Sequence, residues 1–238
     1  MVDTLGIVVS YNRKELLEKA IVSVQSELAG CTSEIVCIDN GEDGGYDVAK
    51  KLGCSGYVVS ENNGLPMVTN WAARSFKSQH ILLFHDDIVL RNGALEHMKS
   101  IPSPIVCGQV LQPDGHYWGE MGFDDNGIPK MFIRDKPAAA KAAMAGLFFV
   151  ALIERWVWEL FNGLDERMAL DYFQFDFCLR AAYVGIPTAL SAYIADHTGG
   201  PPRSVREKAM SQKDIELFFE KWQYIRRKDS FTINRMAN

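Results

Sequence analysis

No apolar run in these 238 residues approaches the roughly 20 that a membrane helix needs, which argues against an integral membrane protein. A basic leader is missing too. Met1-Val2-Asp3 passes almost directly into Leu5-Gly6-Ile7-Val8-Val9, unlike the opening of a secretory signal. Cysteine is sparse: Cys31, Cys37, Cys54, Cys107 and Cys178 show none of the close pairing that zinc sites use. Their odd number also argues against a complete disulfide framework, so reduced, mostly buried thiols in a cytosolic chain are expected. Positive charge is short, with 25 Lys and Arg against 30 Asp and Glu and a net charge of −5. Phosphate contacts need concentrated Lys and Arg, so a nucleic-acid partner is disfavoured. Only Arg226-Arg227-Lys228 is locally basic, as a solvated helix end or a loose attraction to an anionic membrane surface. Repeats and low-complexity stretches are also missing.

What is present is ample apolar material, 47% of the chain, enough for one larger domain. The first half alternates strand and helix. Leu5–Ser10 reads as a strand, and Asn12 with Glu15 three residues on reads as a capping box. Leu16, Leu17, Ala20, Ile21 and Val24 follow at helical spacing. Glu34–Ile38, Tyr57–Ser60 and Ile81–Phe84 are further strands, with helices over Val48–Leu52 and from Gly64 to about Phe76. This alternation predicts an α/β fold with a mixed, mainly parallel sheet flanked by helices, whose ligands gather beyond the strand carboxyl ends. After Leu90 the turns at Pro113-Asp114-Gly115 and Asp124–Gly127 suggest antiparallel excursions. Gly146–Leu152 and Thr188–Ile194 read as strands, and Asp171–Arg180 as a helix entered from a loop. A final helix carries Ile215, Phe218, Phe219 and Trp222 as one core-facing stripe. The main domain is expected over residues 1–202, with a helical extension over 203–238 packed on it.

The most telling stretch is Ile81-Leu82-Leu83-Phe84-His85-Asp86-Asp87-Ile88-Val89-Leu90. Burying two adjacent carboxylates costs far more than packing returns unless a cation or donors meet them. Hard cations such as Mg²⁺ or Mn²⁺ favour oxygen ligands and often share them with substrate phosphates. The alternative is that Asp86 and Asp87 merely close the strand and start a turn. Asp39, in Ile38-Asp39-Asn40-Gly41, falls at a similar strand end.

Several segments together resemble a family 2 GT-A glycosyltransferase, over roughly Leu5 to Gly200. They are Ile7-Val8-Val9-Ser10-Tyr11-Asn12-Arg13, Ile38-Asp39-Asn40-Gly41, Asn63-Gly64 with Asn70 downstream, and His85-Asp86-Asp87. To these add Asp176-Phe177-Cys178-Leu179-Arg180 followed by Gly185, and His197 near Gly199-Gly200. The resemblance implies a nucleotide pocket that includes Ser10, Tyr11, Arg13, Asp39, Asn63 and Asn70. Asp86 would hold ribose or a metal-bound water, and Asp87 would ligate the metal. His197 would supply an imidazole, which suits borderline cations such as Mn²⁺. Many relatives carry an acidic residue where His85 stands, and His85 is expected to point away into the sheet.

The implied chemistry is inverting transfer of a sugar from a nucleoside-diphosphate sugar, with a divalent metal, to a glycan or lipid-linked saccharide. A lipid-linked acceptor would require peripheral contact with a membrane. A carboxylate near the start of the Asp176 helix takes the acceptor proton. In many relatives an acidic pair immediately precedes the helix aspartate, where this chain has Phe173 and Gln174. Asp171 is therefore the first choice of base, resembling the leading aspartate of some rhamnosyltransferase-like members, and Asp176 the second. Trp118, Met121 and Phe123 are expected either on the acceptor side or in a self-packed hairpin. Gly199-Gly200-Pro201-Pro202 is either a hinge to a lid or a rigid connector. Three alternatives stand against this reading. A sugar nucleotidylyltransferase would want a glycine-rich loop, and Ser10-Tyr11-Asn12-Arg13 contains no glycine; a dinucleotide-binding dehydrogenase fails likewise. A non-catalytic carbohydrate- or nucleotide-sugar-binding descendant is allowed by Gln174.

Overall fold

The computed structural model describes residues 1–59, 64–125, 128–199 and 205–228, with the side chains of 207–222 in the last span. The first half runs β1 (Val2–Ser10), α1 (Lys14–Leu28), β2 (Ser33–Asp39), α2 (Gly45–Lys51), β3 (Ser55–Val58), α3 (Leu65–Ser75) and β4 (Ser78–Phe84). Next come β5 (Ile88–Leu90), α4 (Ala94–Ser100), β6 (Ile105–Leu111), β7 (Tyr117–Phe123), β8 (Pro129–Arg134), β9 (Lys141–Ala143) and β10 (Ala145–Gly146). The chain continues with β11 (Val150–Glu154), α5 (Arg155–Leu160), α6 (Phe173–Tyr183), β12 (Thr188–His197) and α7 (Val205–Lys228).

One mixed sheet runs β10-β7-β6-β11-β4-β1-β2-β3. The half built from β4, β1, β2 and β3 is wholly parallel. β11 inserts antiparallel between β4 and β6, and β6, β7 and β8 form the expected antiparallel excursion. β12 runs parallel to β6 and antiparallel to β5. Because strand side chains alternate, each central strand feeds two cores. Leu5, Ile7, Ile81 and Leu83 face the layer of α3, α5, α6 and α7. Val8, Leu82 and Phe84 face Leu17, Ile21 and Val24 of α1 and Leu95 and Met98 of α4. This places the carboxyl ends of β1, β2 and β4 along one edge of the sheet.

Two local expectations give way. Asn12 caps nothing: it adopts φ 55°, and its Oδ1 accepts the Glu42 N–H at 2.8 Å. Arg13 takes the cap position without a side-chain bond, and the Lys14 N–H donates to Asp43 at 2.7 Å instead. The apolar run Gly146–Leu152 is not one strand either. It breaks between β10 and β11, where Leu147 donates its N–H to the Gly119 carbonyl and Phe149 gives its carbonyl to His85. Apolar composition alone did not reveal that both partners lie elsewhere in the chain.

Candidate active site

The site begins where β1 ends. Ser10 is fully buried and pairs in register with Asp39 of β2. Beyond it the chain turns through Asn12 and presses against 40–42, where a Cβ on Gly41 would lie 2.6 Å from the Asn12 backbone nitrogen. Only glycine permits that approach. The turn directs Arg13 back over the end of β4, where its Nη1 donates to Asp87 Oδ2 at 2.7 Å and to Asp86 Oδ1 at 3.4 Å. The Tyr11 backbone N–H donates to Asp86 Oδ2 at 3.3 Å.

Asp86 and Asp87 sit in the short turn between β4 and β5, each only 4% exposed. The Asp87 carbonyl accepts both the backbone N–H and the hydroxyl of Thr198, which pins this turn to the end of β12. β5–β12 pairing then sets His197 opposite Ile88, with its Nε2 3.2 Å from Asp87 Oδ2. The Arg13 and His197 side chains, from two segments distant in sequence, thus converge on two buried carboxylates. Their environments differ. Burial, then the neighbouring Asp87 charge, pushes Asp86 up to about 6. Burial also works against ionised Asp87, but the His197 hydrogen bond and the His85, His197 and Arg13 charges outweigh it and hold Asp87 at about 2.

His85 does not point away into the sheet. Its side chain is 35% exposed, with Nδ1 4.0 Å from Asp87 Oδ1. The ring meets Phe149 edge-on at 5.0 Å, and Phe149 also lies 5.3 Å from the His197 ring and 6.3 Å from Trp118. Phe149 escaped the sequence reading because its run looked like continuous strand. Trp118 therefore borders the site through Phe149, and its Nε1 is buried without a hydrogen-bond partner. Met121 and Phe123 do not join it: Met121 is buried in the core, and Phe123 packs on Phe175 at 5.1 Å.

The Asp39 carboxylate accepts the Gly41 N–H at 3.1 Å and the Tyr46 N–H at 2.8 Å, so it closes the loop that begins beside Ser10. Asn70 is committed elsewhere. It donates to the Leu164 carbonyl and Glu166 and accepts the Leu164 N–H, fastening α3 to the segment before α6. Asn63 and Gly200-Pro201-Pro202 lie outside the described residues.

Asp176 is fully buried and accepts from Arg180 Nε at 2.9 Å, Trp222 Nε1 at 2.9 Å and Lys221 Nζ at 2.6 Å. That leaves it no open face for an acceptor hydroxyl, which a base must reach. Asp171 is half-buried, and its Oδ2 accepts from Ser211 Oγ of α7. The Gln174 Oε1 is buried without a hydrogen-bond partner.

Among the described residues no group of three or more His, Cys, Asp or Glu side chains is placed to hold a metal ion by itself. Asp87 and His197 nevertheless converge, and Asp87 Oδ1 is buried without a hydrogen-bond partner. An unsatisfied carboxylate oxygen beside an imidazole fits a cation that completes its shell from a diphosphate and water. It does not fit one caged by protein alone.

A sequence profile described as "Glycosyl transferase family 2" matches residues 7–159. No curated protein matches the chain by sequence. Among solved structures, GalNAc-T7 with UDP, GalNAc and Mn²⁺ superposes with a TM-score of 0.65 at 13% identity, over 99% of this chain and 54% of that one. TarS 1–349 of S. aureus superposes with a TM-score of 0.61 at 11% identity, over 98% of this chain and 77% of that one. The chain thus spans about half the length of the GalNAc-T7 chain, and at these identities the likeness establishes the GT-A fold. Profile and fold agree, and the chain belongs to glycosyl transferase family 2.

Proposed function

We propose that this chain transfers a sugar from a nucleoside-diphosphate sugar to an acceptor hydroxyl, with inversion and with a divalent cation such as Mn²⁺ or Mg²⁺. The observation that carries the reading is the meeting of Arg13, Asp86, Asp87 and His197 at the carboxyl ends of the parallel strands. A relative of the same fold was solved with UDP and Mn²⁺, which supports the donor class.

Asp87 and His197 would hold the cation, which when bound offsets the charge that develops on the leaving diphosphate. Arg13 offers the diphosphate a planar guanidinium that suits paired oxygens. Asp86 orients the ribose or a cation-bound water, with Ser10, Tyr11 and Asp39 lining the nucleoside side. Asp171 takes the acceptor proton as the hydroxyl attacks from the face opposite the diphosphate, which inverts the anomeric carbon. The acceptor is a glycan or a lipid-linked saccharide. No described helix is long and apolar enough to cross a membrane.

A binding-only descendant is the second reading, favoured by Gln174 standing where many relatives carry a carboxylate. Hydrolysis of donor in the presence of Mn²⁺ separates the two, since a binding module turns over none.

Thermal-shift screening with UDP, GDP and TDP sugars, with and without Mn²⁺, tests the main reading, because a ligand that binds the native state raises the melting point by mass action. Asp87→Ala is expected to abolish the Mn²⁺-dependent shift while leaving the circular dichroism spectrum unchanged. An undiminished shift removes Asp87 from the site. Asp171→Asn is expected to lower turnover by about 100-fold or more, in the range of lost general-base catalysis, with donor affinity held. The same pattern in Asp176→Asn instead would overturn the choice of base.

A further inference from the structure

The segment that carries Asp171 is gripped from both sides. The Asp214 carboxylate of α7 is 2% exposed and accepts three successive backbone N–H groups: Ala169 at 2.8 Å on Oδ1, then Leu170 at 2.7 Å and Asp171 at 2.8 Å on Oδ2. One turn earlier on the same helix face, Ser211 Oγ donates to Asp171 Oδ2. From the other side the Ala169 carbonyl accepts the Leu65 N–H at 2.8 Å. A Cβ on Gly64 (φ +86°) would stand 2.7 Å from Ala169 Cα, so the two backbones touch where only glycine fits.

Docking α7 needs no buried carboxylate. Phe218 already stacks on Phe175 at 5.3 Å and packs on Tyr172 at 5.1 Å. A buried carboxylate persists only when donors satisfy it, and the donors Asp214 uses are the amides leading into and including Asp171. The next residue, Tyr172, holds φ +61°, a conformation costly for a side chain of its size that survives only when its surroundings over-determine it. Both the segment and α7 lie beyond the matched residues 7–159.

We infer that Asp214 and Ser211 are positioning residues that fix segment 169–171 so that the Asp171 carboxylate meets the acceptor hydroxyl. The inference rests on the reading of Asp171 as base. Asp214 sets the backbone, and Ser211 sets the rotamer of the Asp171 side chain. Neither is expected to touch the donor, so their loss reduces turnover and spares donor binding.

The test uses the full chain and the same UDP, GDP and TDP sugar panel. Asp214→Asn keeps the shape, but its amide nitrogen cannot accept a hydrogen bond. Hydrogen exchange at the amides of 169–171 is expected to accelerate by about tenfold, the effect of one lost hydrogen bond, while β1 and β4 keep their protection. Its kcat is expected to fall by a similar factor with donor KM within about twofold. Ser211→Ala, a milder change in case Asp214→Asn fails to fold, is expected to lower kcat several-fold at unchanged KM, and Ser211→Thr to restore it. Unchanged exchange in Asp214→Asn, a loss expressed in KM, or no rescue by threonine would each overturn the inference. Asp171→Asn separates the two ideas. If it is inactive while Asp214→Asn and Ser211→Ala turn over normally, only the positioning role falls. If Asp171→Asn turns over like the unmodified protein, the assignment of the base falls, and the positioning role with it.

Discussion

Asp86 and Asp87 are neighbours in the chain, yet the fold treats their charges oppositely. Asp87 meets Arg13 and His197 directly, whereas Asp86 has a 3.4 Å contact to Arg13, one long backbone bond, and the Asp87 charge beside it. With Asp86 raised from 3.8 to about 6, the native state binds its proton more tightly than the unfolded chain. Stability contributed by this group therefore falls as pH rises from about 4 to 6, and the penalty persists above that. Asp86→Asn is expected to stabilise the protein by roughly 1–3 kcal/mol at pH 8, since each unit corresponds to about 1.4 kcal/mol. The gain should shrink toward pH 4, with donor binding weakened throughout. Urea unfolding at both pH values checks this, and equal gains at both would refute it. The sequence revealed the carboxylate pair because two acids ending an apolar run are conspicuous. Arg13 as their counter-ion was not legible, since the contact spans more than 70 residues and needs the left-handed turn at Asn12 to exist.

At the level of elements, periodicity identified nearly every helix and strand of the first half, because each buries one face or both. The ends were harder to read. A cap depends on which side chain reaches the first free amide, and Asp43 reached Lys14 from another loop. The last helix was legible as an apolar stripe, and Phe218 is indeed 1% exposed. Its polar grip on 169–171 was not, because Asp214 and Ser211 look like ordinary helix-surface residues in sequence. Phe218→Ala is expected to cost about 3–5 kcal/mol, the usual range for removing a buried aromatic ring. Denaturant titration followed by tryptophan fluorescence measures this. A loss below about 1 kcal/mol would mean that α7 contributes little to the core.

For the molecule as a whole, α7 covers Phe175 and Tyr172 and supplies the acceptor for three backbone amides, so a chain ending at residue 202 leaves both exposed. Such a chain is expected to melt roughly 10 °C or more below the full one, at about 2–4 °C per kcal/mol for this size. Calorimetry showing the same melting point would make α7 an independent appendage. The mixed sheet was foreseeable from strand–helix alternation, but its antiparallel insertion of β11 was not, because nothing local tells a strand which neighbour it will join.

Arg13 follows the first strand, Asp87 the fourth, and His197 ends the twelfth, so a fragment must span at least residues 13–197 to bring the proposed site together. On the proposed function, native-like helicity is expected to return during refolding well before affinity for a nucleotide, which needs the β5–β12 pairing that brings His197 to Asp87. Recovery of that affinity is therefore a clock for the final long-range step of assembly. A nick anywhere between Asp87 and His197 that lets the pieces drift apart will silence it.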